Sequence, residues 1–170
     1  YGLGVVEFTN IDGTDDLLYA ATSVDTHGKT INSSYDKVGL TFNHLLSKVK
    51  FSFTNGFAAS NYYVTVENIK MTVPEKASIN LAQEDWWSTN KWENYEGTTT
   101  LEFGNMETAK IAINETTECQ NERLTIPAGA DQEYVVTFDV TLYVGEVVAY
   151  TNTLTTKISG AALEIGKAYN

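Results

Sequence analysis

The chain has 170 residues, 42% of them hydrophobic and 19% charged, which is typical of one globular domain rather than of a disordered segment. Its formal net charge of −11 argues against nucleic acid or an anionic membrane surface as a partner, because both would repel it. A single cysteine, Cys119, excludes an intrachain disulfide. We predict one domain over residues 1–170, with one domain of a longer protein as the alternative, and a processed form whose leader or lipid anchor lies outside this sequence. Any membrane association is expected only through that anchor.

The N-terminal part predicts two short strands, at residues 5–9 and 17–22, separated by a turn rich in carboxylates. Asp12, Asp15 and Asp16 lie in this turn. Carboxylate oxygens suit Ca²⁺, but the segment lacks the complete EF-hand pattern. We therefore predict a solvated turn without a metal, and keep a calcium site as the weaker alternative.

Residues 37–54, KVGLTFNHLLSKVKFSFT, predict the long central strand of the fold. Apolar residues occupy even positions up to Leu46 and odd positions from Val49, each with the two-residue period of a strand that has one buried face. One straight strand cannot bury both sets, because a one-residue slip turns every side chain over. The pattern therefore predicts a bulge or kink near residues 45–47.

His44 lies on the apolar side of the first run, between Phe42 and Leu46. The pattern favours a core histidine bonded to a backbone carbonyl. A metal ligand or general base is the alternative, but His27 is the only other histidine and no ligand spacing accompanies the pair.

Residues 62–73 predict another long strand, with a bulge near Glu67 and Asn68 and an end at Pro74. Residues 77–99 look irregular, and such long loops are often functional. Within segment 84–96, aromatic side chains alternate with polar ones, as in sites that stack on sugar rings. The alternative is that one or two tryptophans close an open end of the fold. The candidate ligand-binding residues are Trp86, Trp87, Trp92 and Tyr95.

Residues 134–144 and 147–157 predict a β-hairpin, with Gly145 and Glu146 as its two-residue turn. Helical periodicity is nearly absent, and many short strands favour an all-β sandwich. No nucleophile motif or suitably spaced acid pair stands out, so we predict that the chain is not an enzyme and needs no cofactor.

Three short motifs occur in order along the chain. DLLYA at residues 16–20 precedes FNHLLSKV at residues 42–49, and GKAY follows at residues 166–169. Segments of the form D-L-L-x-A, F-x-H-x-L-x-K/R-V and G-K-x-Y, in this order, resemble the fimbrillin-like proteins of Bacteroidales, the Mfa/FimA group of pilus and surface-adhesion proteins. The motifs span nearly the whole chain.

This resemblance implies a transthyretin-like Greek-key sandwich of about seven strands. It also implies export to the cell surface and outer membrane, and assembly with other fimbrial subunits through donor-strand-like exchange after proteolysis near the N-terminus. Two features differ from the group's pattern: the only arginine, Arg123, is mid-chain, and Asn170 stands where the closing strand would begin. We expect a fimbrial subunit or adhesin. The alternative is a cell-surface module that binds host or dietary glycans through segment 84–96.

Overall fold

The structure, a computed structural model, describes residues 4–21, 41–81, 91–129 and 132–170. The regular structure in these ranges is β-strand, apart from one 3₁₀ turn at Gly160–Ala162. The strands are β1 (Val5–Thr9), β2 (Leu18–Ala21), β3 (Thr41–His44), β4 (Ser47–Val49), β5 (Ser52–Thr54), β6 (Tyr62–Asn80), β7 (Trp92–Gly104), β8 (Thr116–Glu118), β9 (Arg123–Thr125), β10 (Glu133–Val144), β11 (Val147–Ser159) and β12 (Ala168–Tyr169). The all-β prediction is confirmed. Within the described ranges, no helix has the length and apolar character needed to cross a bilayer.

One layer of the sandwich is a five-stranded antiparallel sheet built around β6. Along one edge of β6, β10 pairs with its first half as far as Thr72, and β1 pairs with its second half from Lys76. Along the other edge, β7 pairs from Ile69 to Ile79. Strand β11 extends the sheet beyond β10.

The facing layer consists of three small sheets, with orders β2-β3, β12-β4-β9 and β5-β8. Residues 41–54 pass through all three, so the predicted long strand is divided into β3, β4 and β5. The predicted kink is confirmed: the strand breaks at Leu45 and Leu46, and both side chains are buried with 1% exposure. A regular strand could bury only one of two adjacent side chains.

The prediction that His44 lies in the core is wrong. Strand β3 pairs with β2, and all four of its residues are exposed; Phe42 and the His44 side chain both have 61% exposure. The chain enters the core only after His44, at Leu45. The Nδ1 atom of His44 instead lies 2.7 Å from Oδ2 of Asp16.

Strand β6 confirms one prediction and corrects another. The register between β6 and β10 shifts opposite Glu67 to Lys70, and Asn68 has a positive φ of 51°, which marks the predicted bulge. Pro74, however, does not end the strand. Strand β7 pairs with β6 on both sides of Pro74, so neighbouring ladder bonds hold the backbone across the residue that lacks a donor.

The predicted hairpin is confirmed, and β10 and β11 pair over their whole length around Gly145 and Glu146. Its even-numbered β10 residues face the inside of the sandwich, as predicted. Tyr134 and Val136 at one end are fully buried. Towards the turn the same face becomes progressively more exposed, and nearly all of β11 is exposed.

Two clusters of buried residues fill the sandwich. The larger one surrounds Phe103, Met71 and Tyr134 between the two layers. The smaller one surrounds Leu45, Ile79 and Trp92, at the end of β6 that pairs with β1. Both clusters draw on β6, which therefore connects the two ends of the molecule.

Candidate functional site

An open apolar groove lies where the facing layer stops short of β11. Its volume is about 340 Å³, and we call it the β5–β11 groove. Its lining is almost entirely apolar and includes Phe53, Phe57, Phe138, Leu142, Tyr150 and Leu154. Since exposed apolar surface is unfavourable in water, such a groove suits a protein partner.

The floor of the groove is the inner face of the β10–β11 hairpin near its turn. Phe138 pairs in register with Leu154, and Leu142 pairs with Tyr150, so the four side chains lie side by side on one face. Leu154 is 40% exposed and Tyr150 is 53% exposed. Strands of this pattern normally bury such residues under a second sheet, and the described residues form only part of that cover.

The wall of the groove is β5 together with the loop that follows it. The Phe53 ring packs edge-on against Phe138 of the floor, with 5.2 Å between ring centroids. Asn55 is buried and fixes the loop, because its Nδ2 donates to the carbonyl oxygens of Tyr62 (3.1 Å) and Ile111 (2.9 Å). The amide of Phe57 donates to Oδ1 of Asn55 (3.1 Å). The wall is therefore preformed rather than dependent on a ligand.

The groove also offers an unpaired strand edge. Among the described residues, β5 pairs with β8 alone, on the edge away from the groove. Strand β12 runs parallel to β4 on the other edge, and the amide of Lys50 donates to the Tyr169 carbonyl oxygen (2.9 Å). A strand that continued the line of β12 would pair with β5 and cover the floor. An unpaired edge beside an apolar floor is suited to an added strand.

The predicted aromatic site is divided by the structure. Residues 77–80 belong to β6 and Trp92 begins β7, so the irregular segment is shorter than predicted. Trp92 is 4% exposed, and its Nε1 donates to the Leu45 carbonyl oxygen (3.1 Å). The Tyr95 hydroxyl lies between the carbonyl oxygens of Trp92 (2.9 Å) and Pro127 (3.0 Å), and its one proton is shared between these two acceptors. Trp92 thus packs in the core and closes one end of the sandwich.

Trp86 and Trp87 lie outside the described residues. Glycan binding by segment 84–96 stays a prediction. Trp92 presents almost no surface to a ligand, so the prediction now depends on Trp86, Trp87 and the half-buried Tyr95.

Two carboxylates of the first turn, those of Asp12 and Asp16, are held in separate interactions. Oδ1 of Asp12 accepts hydrogen bonds from the amide (3.0 Å) and hydroxyl (2.6 Å) of Thr14. These bonds, with the nearby charge of Arg123, lower the pKa of Asp12. Asp16 contacts His44, and Asp15 is exposed. Across the described residues, no three histidine, cysteine or acidic side chains converge as a metal site.

The residues that form the groove were not identified as a site from the sequence. Phe53, Phe138 and Leu142 alternate with polar residues, and that pattern predicts a buried strand face. Whether the opposite layer reaches far enough to cover the face depends on contacts between distant segments. The same holds for the exposed apolar residues of β11, such as Tyr150 and Leu154: the sequence pattern does not tell whether they are covered.

Comparison with protein families matches residues 12–169 to the family described as fimbrillin-like. No curated protein and no solved structure matches the chain. The matched range includes every residue that lines the groove and all three sequence motifs.

Proposed function

The chain belongs to the fimbrillin-like family, and from this membership we propose that it is a structural subunit of surface fimbriae that assembles by strand complementation. The family is structural rather than enzymatic and supports a role in a fimbrium at the cell surface. In the proposal, an extended segment of a neighbouring subunit lies in the β5–β11 groove. In this proposal, the chain and its neighbouring subunits form fimbriae of Bacteroidales that are anchored at the outer membrane.

The observation that carries the proposal is the coincidence of an apolar floor with a free strand edge. Backbone groups along β5 can bond an added strand whatever its sequence, while the floor selects apolar side chains at alternate positions. The side chains of Phe138, Val140 and Leu142 lie on one face of β10 at the two-residue spacing that such a strand requires, and Leu154 lies beside Phe138 on β11.

Cross-linking from a cysteine in the groove tests the proposal. Leu154→Cys places a thiol on the floor, and Thr155→Cys places one on the opposite face of the same strand. The native Cys119 is fully buried, and burial raises the pKa of its thiol, so it reacts slowly and does not interfere.

In fimbriae recovered from the cell surface, we expect the Leu154→Cys variant to cross-link to an extended segment of another subunit, identified by mass spectrometry. The Thr155→Cys variant should not. Equal cross-linking of both variants, or attachment of the thiol introduced on the floor to a segment of its own chain, would contradict strand exchange.

A further inference from the structure

A second cavity, of about 550 Å³, lies among the β1–β2 turn, β4, β9 and the start of β12, and shares no lining residue with the groove. We call it the charged cavity. Its volume is within the range of small-molecule sites, about 300–1,000 Å³. The charged or polar side chains that line it include Asp16, His44, Lys48, Glu122, Arg123 and Lys167.

The lining is net positive, because three of these side chains are cationic and two are anionic, with His44 counted as neutral. The whole chain, in contrast, carries a net charge of −11. A concave positive region on a strongly negative protein concentrates the field at that point and favours an anionic group there. The chain's only arginine is among the lining residues.

Two of the cations form no direct ion pair. Lys48 forms an ion pair with Glu122, with 2.7 Å between Nζ and Oε1. Arg123 and Lys167 form no ion pair with any residue in the described ranges, although Asp12 lies within electrostatic range of Arg123. A carboxylate from outside could therefore interact with both.

Arg123 is held in place at an energetic cost. Its Nη1 donates to the Glu122 backbone oxygen (3.0 Å), while Nε is buried without a hydrogen-bond partner, the single such side-chain atom among the described residues. Gly13, with φ of 74°, packs against its side chain, where a Cβ would lie 3.0 Å from the Arg123 Cβ. Nε has almost no accessible surface, so a ligand in the cavity would interact with the charge of the guanidinium group rather than with Nε itself.

The walls of the charged cavity are preformed by backbone bonds between distant segments. The amide of Leu124 donates to the Gly13 oxygen (2.8 Å), and the amide of Lys48 donates to the Lys167 oxygen (2.9 Å). The amide of Gly166 donates to the Leu46 oxygen (3.1 Å). A preformed site loses little entropy on binding, so a small ligand can be held with useful affinity.

The hydrogen-bond acceptors in the lining indicate which groups, besides a carboxylate, the ligand would carry. Asp16 and Glu122 can accept hydrogen bonds from hydroxyl groups, and the Asp16–His44 pair is held at 2.7 Å. The apolar side chains of Leu46 and Leu124 also line the cavity. A simple carboxylate would use the cations alone, whereas a sugar acid uses cations, acceptors and apolar surface together.

From this arrangement we propose that the charged cavity binds an acidic sugar, with the sugar carboxylate on Arg123 and Lys167 and the hydroxyl groups on Asp16 and Glu122. The site is separate from the groove and does not depend on fimbrial assembly. It is also distinct from segment 84–96.

Titration of the whole chain with methyl glucuronide, followed by NMR and calorimetry, tests this proposal. We expect saturable binding with a dissociation constant in the millimolar range, with chemical shifts that move at Gly13, His44 and Gly166. Methyl glucoside has the same ring without the carboxylate, and propionate has the carboxylate without the ring. Each should bind at least about tenfold more weakly, the effect of losing one strong charge-assisted interaction.

Two charge-removing variants locate the site. Lys167→Gln and Arg123→Gln should each weaken glucuronide binding about tenfold. Lys157→Gln removes a surface charge that is paired with Glu133 on the hairpin, and should leave binding unchanged. Because Lys167 is exposed, Lys167→Gln is expected to fold, and it tests the proposal even if Arg123→Gln does not fold.

The proposal is overturned if glucuronide shows no saturable binding, or if glucoside or propionate binds equally well. It is also overturned if Lys157→Gln weakens binding as much as Lys167→Gln. Failure here would leave the groove proposal intact, because cross-linking of the Leu154→Cys variant in assembled fimbriae does not involve the charged cavity.

Discussion

The two ends of the sandwich are built from the same strand, β6, and differ in how completely they are covered. At the β1 end, the smaller cluster encloses Leu45, Ile79 and Trp92 between the two layers. At the β10–β11 end, apolar residues of the same alternating type, such as Leu154 and Tyr150, remain exposed. One end is complete by itself, and the other has the composition of a core without its cover.

This difference separates residues that stabilise the fold from residues that are available to a partner. Burial of an apolar side chain contributes free energy only where water has been removed from it. Mutations at the closed end should therefore unfold the protein, while mutations in the groove should mainly affect assembly.

The largest effect is expected for Trp92→Ala. The substitution removes a buried indole and leaves the Leu45 carbonyl oxygen without its donor. We expect a loss of about 3–5 kcal/mol in the free energy of unfolding, measured by urea denaturation. A loss below about 1 kcal/mol would show that this end is not closed as described.

Two leucines provide a matched pair for the two ends. Leu45→Ala removes a side chain that is 1% exposed and should cost about 2–5 kcal/mol. Leu154→Ala removes one that is 40% exposed and should cost about 0.5 kcal/mol or less in the isolated subunit. Equal losses in urea denaturation would mean that the groove is already filled in the isolated protein.

The sequence predicts the regular parts of the fold well, because they depend on local patterns. The β10–β11 hairpin follows from alternation and a two-residue turn, and the bulge at Asn68 follows from a change in which positions are apolar. The predictions for Pro74 and His44 are wrong because the environment of each residue depends on neighbouring strands. Strand β7 holds the backbone across Pro74, and β3, which contains His44, lies outside the core.

The two candidate sites could not be predicted in the same way. The charged cavity joins residues more than a hundred positions apart, since Lys48 and Lys167 meet through the pairing of β4 with β12. A signal was present: Asp16, His44, Lys48 and Lys167 all belong to the three motifs that resemble fimbrillins. Their spacing along the chain gives no indication that they share one cavity.

Tyr134 and Tyr143 of β10 allow the covered end of the hairpin to be compared with the end near its turn. The buried Tyr134 hydroxyl accepts from the Ala128 amide (2.7 Å) and donates to the Ile126 carbonyl oxygen (3.1 Å). Tyr134→Phe removes the hydroxyl that bonds both backbone groups and should cost about 1–3 kcal/mol. Tyr143→Phe, nearer the turn, is the matched control and should cost about 0.5 kcal/mol or less in the same denaturation assay. If Tyr143→Phe lost more free energy of unfolding than Tyr134→Phe, the open end of the hairpin would contribute more to stability than the buried end, which would contradict the account.

The smallest effect concerns Asp139, on the outer face of the hairpin. Hydrogen bonds from Thr153 and Asn68 lower the pKa of its carboxyl group. Its stabilisation is thus complete above the ordinary aspartate pKa of 3.8, and is lost as the pH falls below that value through the lowered pKa of the folded state.

Asp139→Asn should lower the melting temperature slightly at pH 7 and flatten the fall in melting temperature below about pH 4, followed by circular dichroism. Asp15→Asn changes an exposed aspartate with no hydrogen-bond or ion-pair partner in the described part of the chain, and as the control it should leave the profile unchanged. An unchanged profile for Asp139→Asn as well would mean that its hydrogen bonds do not stabilise the fold.

The central claim is that the open end is completed by another subunit. Electron cryomicroscopy of intact fimbriae tests it most directly. The account predicts density for an extended strand beside β5, with apolar side chains over Phe138, Leu142 and Leu154, that is continuous with a neighbouring subunit. A groove that is empty in the fimbria, or filled by the subunit's own chain, would contradict the account.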